Sequence, residues 1–318
     1  MIERRFESIE TNGVTLRTVV EGDGPLVILL HGWPQCWYLW RHQIDPIVAA
    51  GYRVAVPDQR GYGASSCPPN VADYNIRELC ADIAGIALAL GYEEFILIGH
   101  DWGCIVAWNT ALLHAESCKA VMGLSVPFLR LDPQSVNPPG MDDRFWYVRY
   151  FQEQGIAESE LEQDLERSLR TIYHWVSGDA PPGIFMKQME HPKTSGLLDA
   201  APAPPAQLPA WLSQDDLSYY VSEYATSGFR GPINWYRNIP TNDKITPELK
   251  SKRIMQPAAF AAGTFDVGLD FDPHWRDNLP TSFDDLRFIE LVEGAGHWLQ
   301  VEKPEETNEL ILRFLKGL

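Results

Sequence analysis

Short apolar runs recur through the first part of the chain, and they set its architecture. The runs 14–20, 26–30, 53–56, 95–98 and 120–125 read as strands. From Leu26 onward they are continuous rather than alternating, as expected of a parallel sheet covered on both faces. Between them, 37–50 and 76–90 carry helical patterns, each followed by a glycine (Gly51, Gly91) suited to a helix C-cap. A further buried helix is expected to start at Cys104, just after the run 95–98. The alternation stops at Phe128. As far as about Lys250 there are helical stretches such as 157–176 and an Ala/Pro-rich loop at 200–205, but no strand pattern. Strands resume at 257–263 and 286–292, and a final helix is expected at 304–316. Because strands resume, the middle reads as a helical cap, 128–250, inserted into an α/β core of 1–127 and 251–318, rather than as a separate helical domain. No internal repeat interrupts this reading.

Composition narrows the function classes. The chain has 318 residues, 45% of them hydrophobic, enough for one large domain or a domain with an insertion. A formal net charge of −17 argues against nucleic acid and anionic membranes as partners. No apolar run is long enough to span a bilayer, and Met1 to Phe6 lack the apolar core of a signal peptide. The five cysteines (Cys36, Cys67, Cys80, Cys104, Cys118) are scattered and form no CxxC pair, which suggests neither a disulfide framework nor a zinc site. A cytoplasmic, reduced protein is the expectation.

Candidate chemistry centres on Gly99-His100-Asp101-Trp102-Gly103, between the strand 95–98 and the helix that follows. One reading is a tight turn with Asp101 as helix N-cap. The other is a nucleophile elbow, the strand-to-helix turn of the α/β-hydrolase fold, with Asp where Gly-x-Ser-x-Gly has Ser. In that fold an acid and then a histidine follow the nucleophile along the chain. Asp266 stands just after the strand 257–262, and His297 lies in Gly294-Ala295-Gly296-His297-Trp298 after the strand 286–292. Both are at strand ends, where open α/β sheets gather their sites. Asp270 and Asp272 are rivals to Asp266, but lie further from the strand end. His42, His114, His174, His191 and His274 read as solvated, and His31 and His100 as structural. His31-Gly32-Trp33-Pro34 follows the strand 26–30 and offers half of an oxyanion hole. Its donors would be the backbone N–H groups of Trp33 and Trp102.

With HGWP, Asp58-Gln59-Arg60-Gly61-Tyr62-Gly63, GHDWG, Asp266 and GAGHW in place, the chain resembles the epoxide hydrolases of the α/β-hydrolase superfamily from about Glu7 to Leu315. The resemblance includes two cap stretches, 145–152 and 227–238. Each supplies a tyrosine that hydrogen-bonds the epoxide oxygen in the family, which implies Tyr147 and Tyr236 here. It implies a small epoxide and water as partners, no cofactor and no metal, and is compatible with a homodimer. One departure is Gln35, where many soluble relatives carry Glu, so any part played by that carboxylate near His297 is not carried over.

An aspartate suits displacement at saturated carbon. It is ionised near neutral pH, whereas a serine must first lose a proton. Attack would give an alkyl–enzyme ester, which water activated by His297 and Asp266 would hydrolyse with the oxyanion hole in support. An epoxide oxygen needs a proton donor as it leaves, and a halide does not. Haloalkane dehalogenases share the HDW elbow, so dehalogenation is the alternative. HGWP lacks the Asn of their halide site, while Trp102 and the cap tryptophans Trp146, Trp175, Trp211 and Trp235 keep it open. A non-catalytic ligand receptor on the same scaffold is the third reading, although it could dispense with a triad member and all three are present.

Overall fold

A computed structural model describes residues 4–130 and 132–318. Eight strands form one sheet: β1 (Phe6–Thr11), β2 (Val14–Glu21), β3 (Leu26–Leu30), β4 (Arg53–Pro57), β5 (Phe95–His100), β6 (Cys118–Leu124), β7 (Ile254–Gly263) and β8 (Phe283–Val292). Their spatial order is β1-β2-β4-β3-β5-β6-β7-β8, parallel from β4 through β8 and antiparallel for the first two pairings. The central strands β3 and β5 are buried at every residue, so apolar side chains on both faces meet helices rather than water. The fold is the α/β-hydrolase fold expected from the sequence.

The edges and helix breaks differ from the sequence reading. β1 was not expected. Its residues alternate weakly, and its pairing to β2 is set by the turn Asn12-Gly13, both at positive φ, an Asn-Gly hairpin signal. The single helix expected at 37–50 is instead a 3-10 turn, Trp37–Trp40, followed by the short helix Ile44–Ala49. Pro46 has no N–H to donate and fits only in a first turn, so a helix running through it cannot form. The stretch 157–176 is likewise split into Ile156–Leu161 and Leu165–Trp175, because the Asp164 side chain accepts the Arg167 N–H and starts a second helix. Gly51 and Gly91 both adopt the positive φ expected of C-caps.

Between β6 and β7 the described residues form helices and loops, with no strand beyond one isolated bridge. Helix Gln214–Ser227 docks onto the core through Tyr219, whose hydroxyl accepts the Trp37 indole N–H at 2.7 Å, and through Glu223, which pairs with Arg17 beside Asp58. Helix Arg230–Arg237 is tied down by the Trp235 indole, which donates to Arg60 O at 3.1 Å. Tyr173 donates its hydroxyl proton to Pro34 O at 3.0 Å. The helical segment is therefore bolted to the loops that follow β3 and β4.

Candidate active site

The strand β5 ends at His100, and the helix Trp102–Leu113 starts one residue later. Asp101 makes the turn between them with φ 54° and ψ −123°, a conformation that costs a non-glycine residue about 1–3 kcal/mol. The turn is this tight only because its neighbours have no side chains. A Cβ on Gly103 would stand 2.2 Å from Leu30 O, and one on Gly32 would stand 2.2 Å from Asp101 Oδ1. Asp101 occupies the N-cap position, but its side chain makes no capping bond among the described residues. Instead Oδ1 accepts the Trp33 N–H at 2.7 Å. Of the two backbone donors expected from the sequence, Trp33 is hydrogen-bonded to Asp101, and Trp102, the first residue of the helix, adjoins it in the chain.

The histidine and the acid come from the loops after β8 and β7. His297 Nε2 lies 3.5 Å from Asp101 Oδ2, and Nδ1 lies 2.9 Å from Asp266 Oδ1. Asp266 is fixed by the Gly268 N–H, which it accepts at 2.8 Å. The rivals do not pair with the histidine: Asp272 accepts from His274 N–H and Asn278, and Asp270, exposed, lines the same cavity as Asp101, while Asp266 holds His297 Nδ1. Burial opposes charge on His297, but Asp266 and Asp101 outweigh it and raise its pKa to about 10. Burial would likewise raise the Asp101 pKa, yet His297 and the Trp102 N–H hold it below the usual carboxylate value. In the resting site the two groups are an ion pair.

His31 and His100 are buried and neutral, because burial lowers their pKa values to about 4 and about 3. His31 accepts the Gln59 N–H at Nε2, which joins the HGWP loop to the Asp58–Gly63 loop. His100 Nε2 lies 2.6 Å from His297 O, and Ser125 donates its hydroxyl to the same carbonyl at 3.1 Å. Both histidines are structural supports, as the sequence suggested. Gln35 is buried, and its Oε1 has no partner among the described residues.

Asp101 opens into a cavity of about 520 Å³ whose lining includes Trp102, Tyr147, Tyr236, Ile105, Met186 and Ile239. The rings of Tyr147 and Tyr236 lie 5.8 Å apart at 77°, and Phe151 packs against both. Burial and then the Asp101 charge raise the pKa of each hydroxyl, so both keep their protons. Gln152 holds their two helices together, donating to Val148 O at 2.8 Å and Tyr236 O at 3.1 Å. Sequence reasoning did not single out Gln152.

Residues 25–304 match the family described as the α/β-hydrolase fold. Epoxide hydrolase A of Mycobacterium tuberculosis is 43% identical, over 98% of this chain and 97% of that protein. The crystal structure of epoxide hydrolase A from Mycobacterium thermoresistibile superposes with a TM-score of 0.92 at 40% identity, covering 99% of each chain. The chain belongs to the epoxide hydrolases of the α/β-hydrolase fold. An epoxide hydrolase from an endophytic Streptomyces is similar too, with a TM-score of 0.94 and 36% identity over 100% of this chain and 96% of that one. Bifunctional epoxide hydrolase 2 of Sus scrofa is 35% identical over 96% of this chain and 54% of its own length.

The cap tryptophans bear on the dehalogenase alternative. The indole N–H groups of Trp146, Trp235 and Trp211 donate to Ser135 O, Arg60 O and Asp179 Oδ2 at 2.8, 3.1 and 2.9 Å. Trp175 is buried against Phe185, and its indole N–H has no partner among the described residues. Three of the four are thus committed away from the carboxylate. No described helix is long and apolar enough to cross a membrane.

Proposed function

We propose that this epoxide hydrolase converts an epoxide and water to a vicinal diol in two steps on Asp101, beneath a lid formed by residues 128–250. Asp101 Oδ2 attacks an epoxide carbon, and the C–O bond of the ring breaks. Tyr147 or Tyr236 gives its proton to the leaving oxygen and recovers one from protonated His297. With the Asp101 charge gone into the ester, His297 loses one of the two carboxylates that raised its pKa and becomes a base. It takes a proton from water, and the hydroxide attacks Asp101 Cγ. Negative charge develops on Oδ1, which accepts the Trp33 N–H, with the Trp102 N–H as the proposed second donor. Collapse passes the added hydroxyl's proton to the departing oxygen, leaving diol, ionised Asp101 and protonated His297 as at the start.

The observation that carries this reading is the sharing of one cavity by Asp101 and two protonated tyrosines, because only an epoxide oxygen needs the proton. Asp266 orients His297 and balances its charge. A cytoplasmic location is supported by the five cysteines, all free. The test is a panel of styrene oxide, aliphatic epoxides and bromoalkanes, scored for diol and bromide. Diol from the epoxides with little bromide is expected, whereas bromide release without epoxide turnover would favour dehalogenation.

A further inference from the structure

The loop that carries His297 is held by a carboxylate with no part in the scheme above. Glu302 ends the short helix Leu299–Glu302 and turns its side chain back over the loop. Its Oε2 accepts the Gly296 N–H at 2.8 Å and its Oε1 accepts the Trp298 N–H at 2.9 Å, so the residues on both sides of His297 share one carboxylate. Oε2 also accepts the Gly178 N–H at 3.0 Å, from the inserted helical segment. His297 donates its own N–H to Val176 O at 2.9 Å. The packing is as close as the bonding. A Cβ on Gly178 would stand 2.8 Å from both Glu302 Oε2 and Gly296 N.

We propose that Glu302 is a positioning residue for the hydrolytic step, fixing the direction in which His297 faces Asp101 and tying that base to the lid. This rests on the two-step reading above. A carboxylate suits the place because it only accepts, and it satisfies three donors at once. The amide of a glutamine would oppose an N–H with an NH₂ group and leave at least one loop donor unpaired. The loop would shift, and base-assisted attack by water is sensitive to such shifts. Alkylation is not, because Oδ2 attacks without a base and Oδ1 is held by Trp33. Burial raises the Glu302 pKa to about 7 against the pull of its three N–H partners, so the ionised form that accepts from all three prevails above that pH.

The test is a single turnover of styrene oxide by wild type, Glu302→Gln and Gly178→Ala, with ester followed by intact mass and diol by chromatography. Gly178→Ala presses a methyl group onto the same clamp from the lid side. Circular dichroism establishes that each variant is folded. In both, ester formation within about threefold of wild type and hydrolysis slowed by about tenfold or more are expected, so that ester accumulates. Should Glu302→Gln not fold, Gly178→Ala decides alone. Hydrolysis at the wild-type rate, or equal slowing of both steps, would overturn the proposal. Water-derived ¹⁸O in the diol of the first wild-type turnover would instead overturn the two-step reading on which it rests.

Discussion

Asp101 offers its two carboxylate oxygens to different partners: His297 Nε2 is 3.5 Å from Oδ2, while Oδ1 accepts the Trp33 N–H at 2.7 Å. The carboxylate is thereby divided. In the proposed scheme the oxygen beside the histidine is the attacking one, and the other is the one on which charge would develop in the second step. In a serine elbow the histidine must act before the first bond forms, whereas in the scheme proposed for this chain its positive charge would balance the nucleophile until the ester is made.

If His297 serves the second step, His297→Gln should still alkylate and then stall. Intact-mass spectra after addition of substrate should show protein heavier by one substrate, with diol formation reduced by about 10²-fold or more. Unmodified protein turning over at the normal rate would remove His297 from the role of base.

The pH behaviour follows from the ion pair. His297 is raised from 6.5 to about 10 in the fold, so it contributes stability that is fully present below pH 6.5 and lost as pH rises through about 10. Asp101→Asn removes one of the two charges responsible and leaves Asp266. The imidazole should therefore titrate at lower pH in Asp101→Asn than in wild type, and the loss of stability with rising pH should be smaller. Imidazole NMR titration and melting temperatures between pH 6 and 10 check both; the same imidazole pKa in the two proteins would contradict the account.

Tyr147 and Tyr236 line the same cavity as Asp101, so each should polarise the same oxygen. Tyr147→Phe or Tyr236→Phe should lower kcat/KM for an epoxide by about 10²-fold, the usual worth of a general acid. The double variant should lose far more, because the departing alkoxide would have no donor. Equal activity of wild type and double variant would exclude a proton-donating role.

Much of this was legible in the sequence because the fold repeats one local grammar. Continuous apolar runs, each ending in a Gly-rich turn, located β3, β5 and β7 and with them Asp101 and Asp266. The two tyrosines were not legible from the residues alone; twelve tyrosines look alike until their cap stretches are compared with relatives. β1 was missed because FESIET lacks an apolar run, although Asn12-Gly13 marked its hairpin. The helix breaks at Pro46 and Asp164 have local causes, since one lacks a donor and the other caps, but the helical periodicity of the flanking residues runs through both and masks them. Glu302 gave no signal. It lies in the acidic stretch Glu302-Lys303-Pro304-Glu305-Glu306, and only the turn of its side chain toward Gly296, Trp298 and Gly178 distinguishes it from solvated neighbours.

The central claim is that the diol acquires its new oxygen from Asp101 and that water repays it there. A single turnover in H₂¹⁸O, with enzyme in excess over epoxide, tests this directly. The account predicts unlabelled diol in that first turnover and one ¹⁸O in the peptide that contains Asp101. Label in the diol from the first turnover, with an unlabelled Asp101 peptide, would mean that water attacks the epoxide directly and would contradict it.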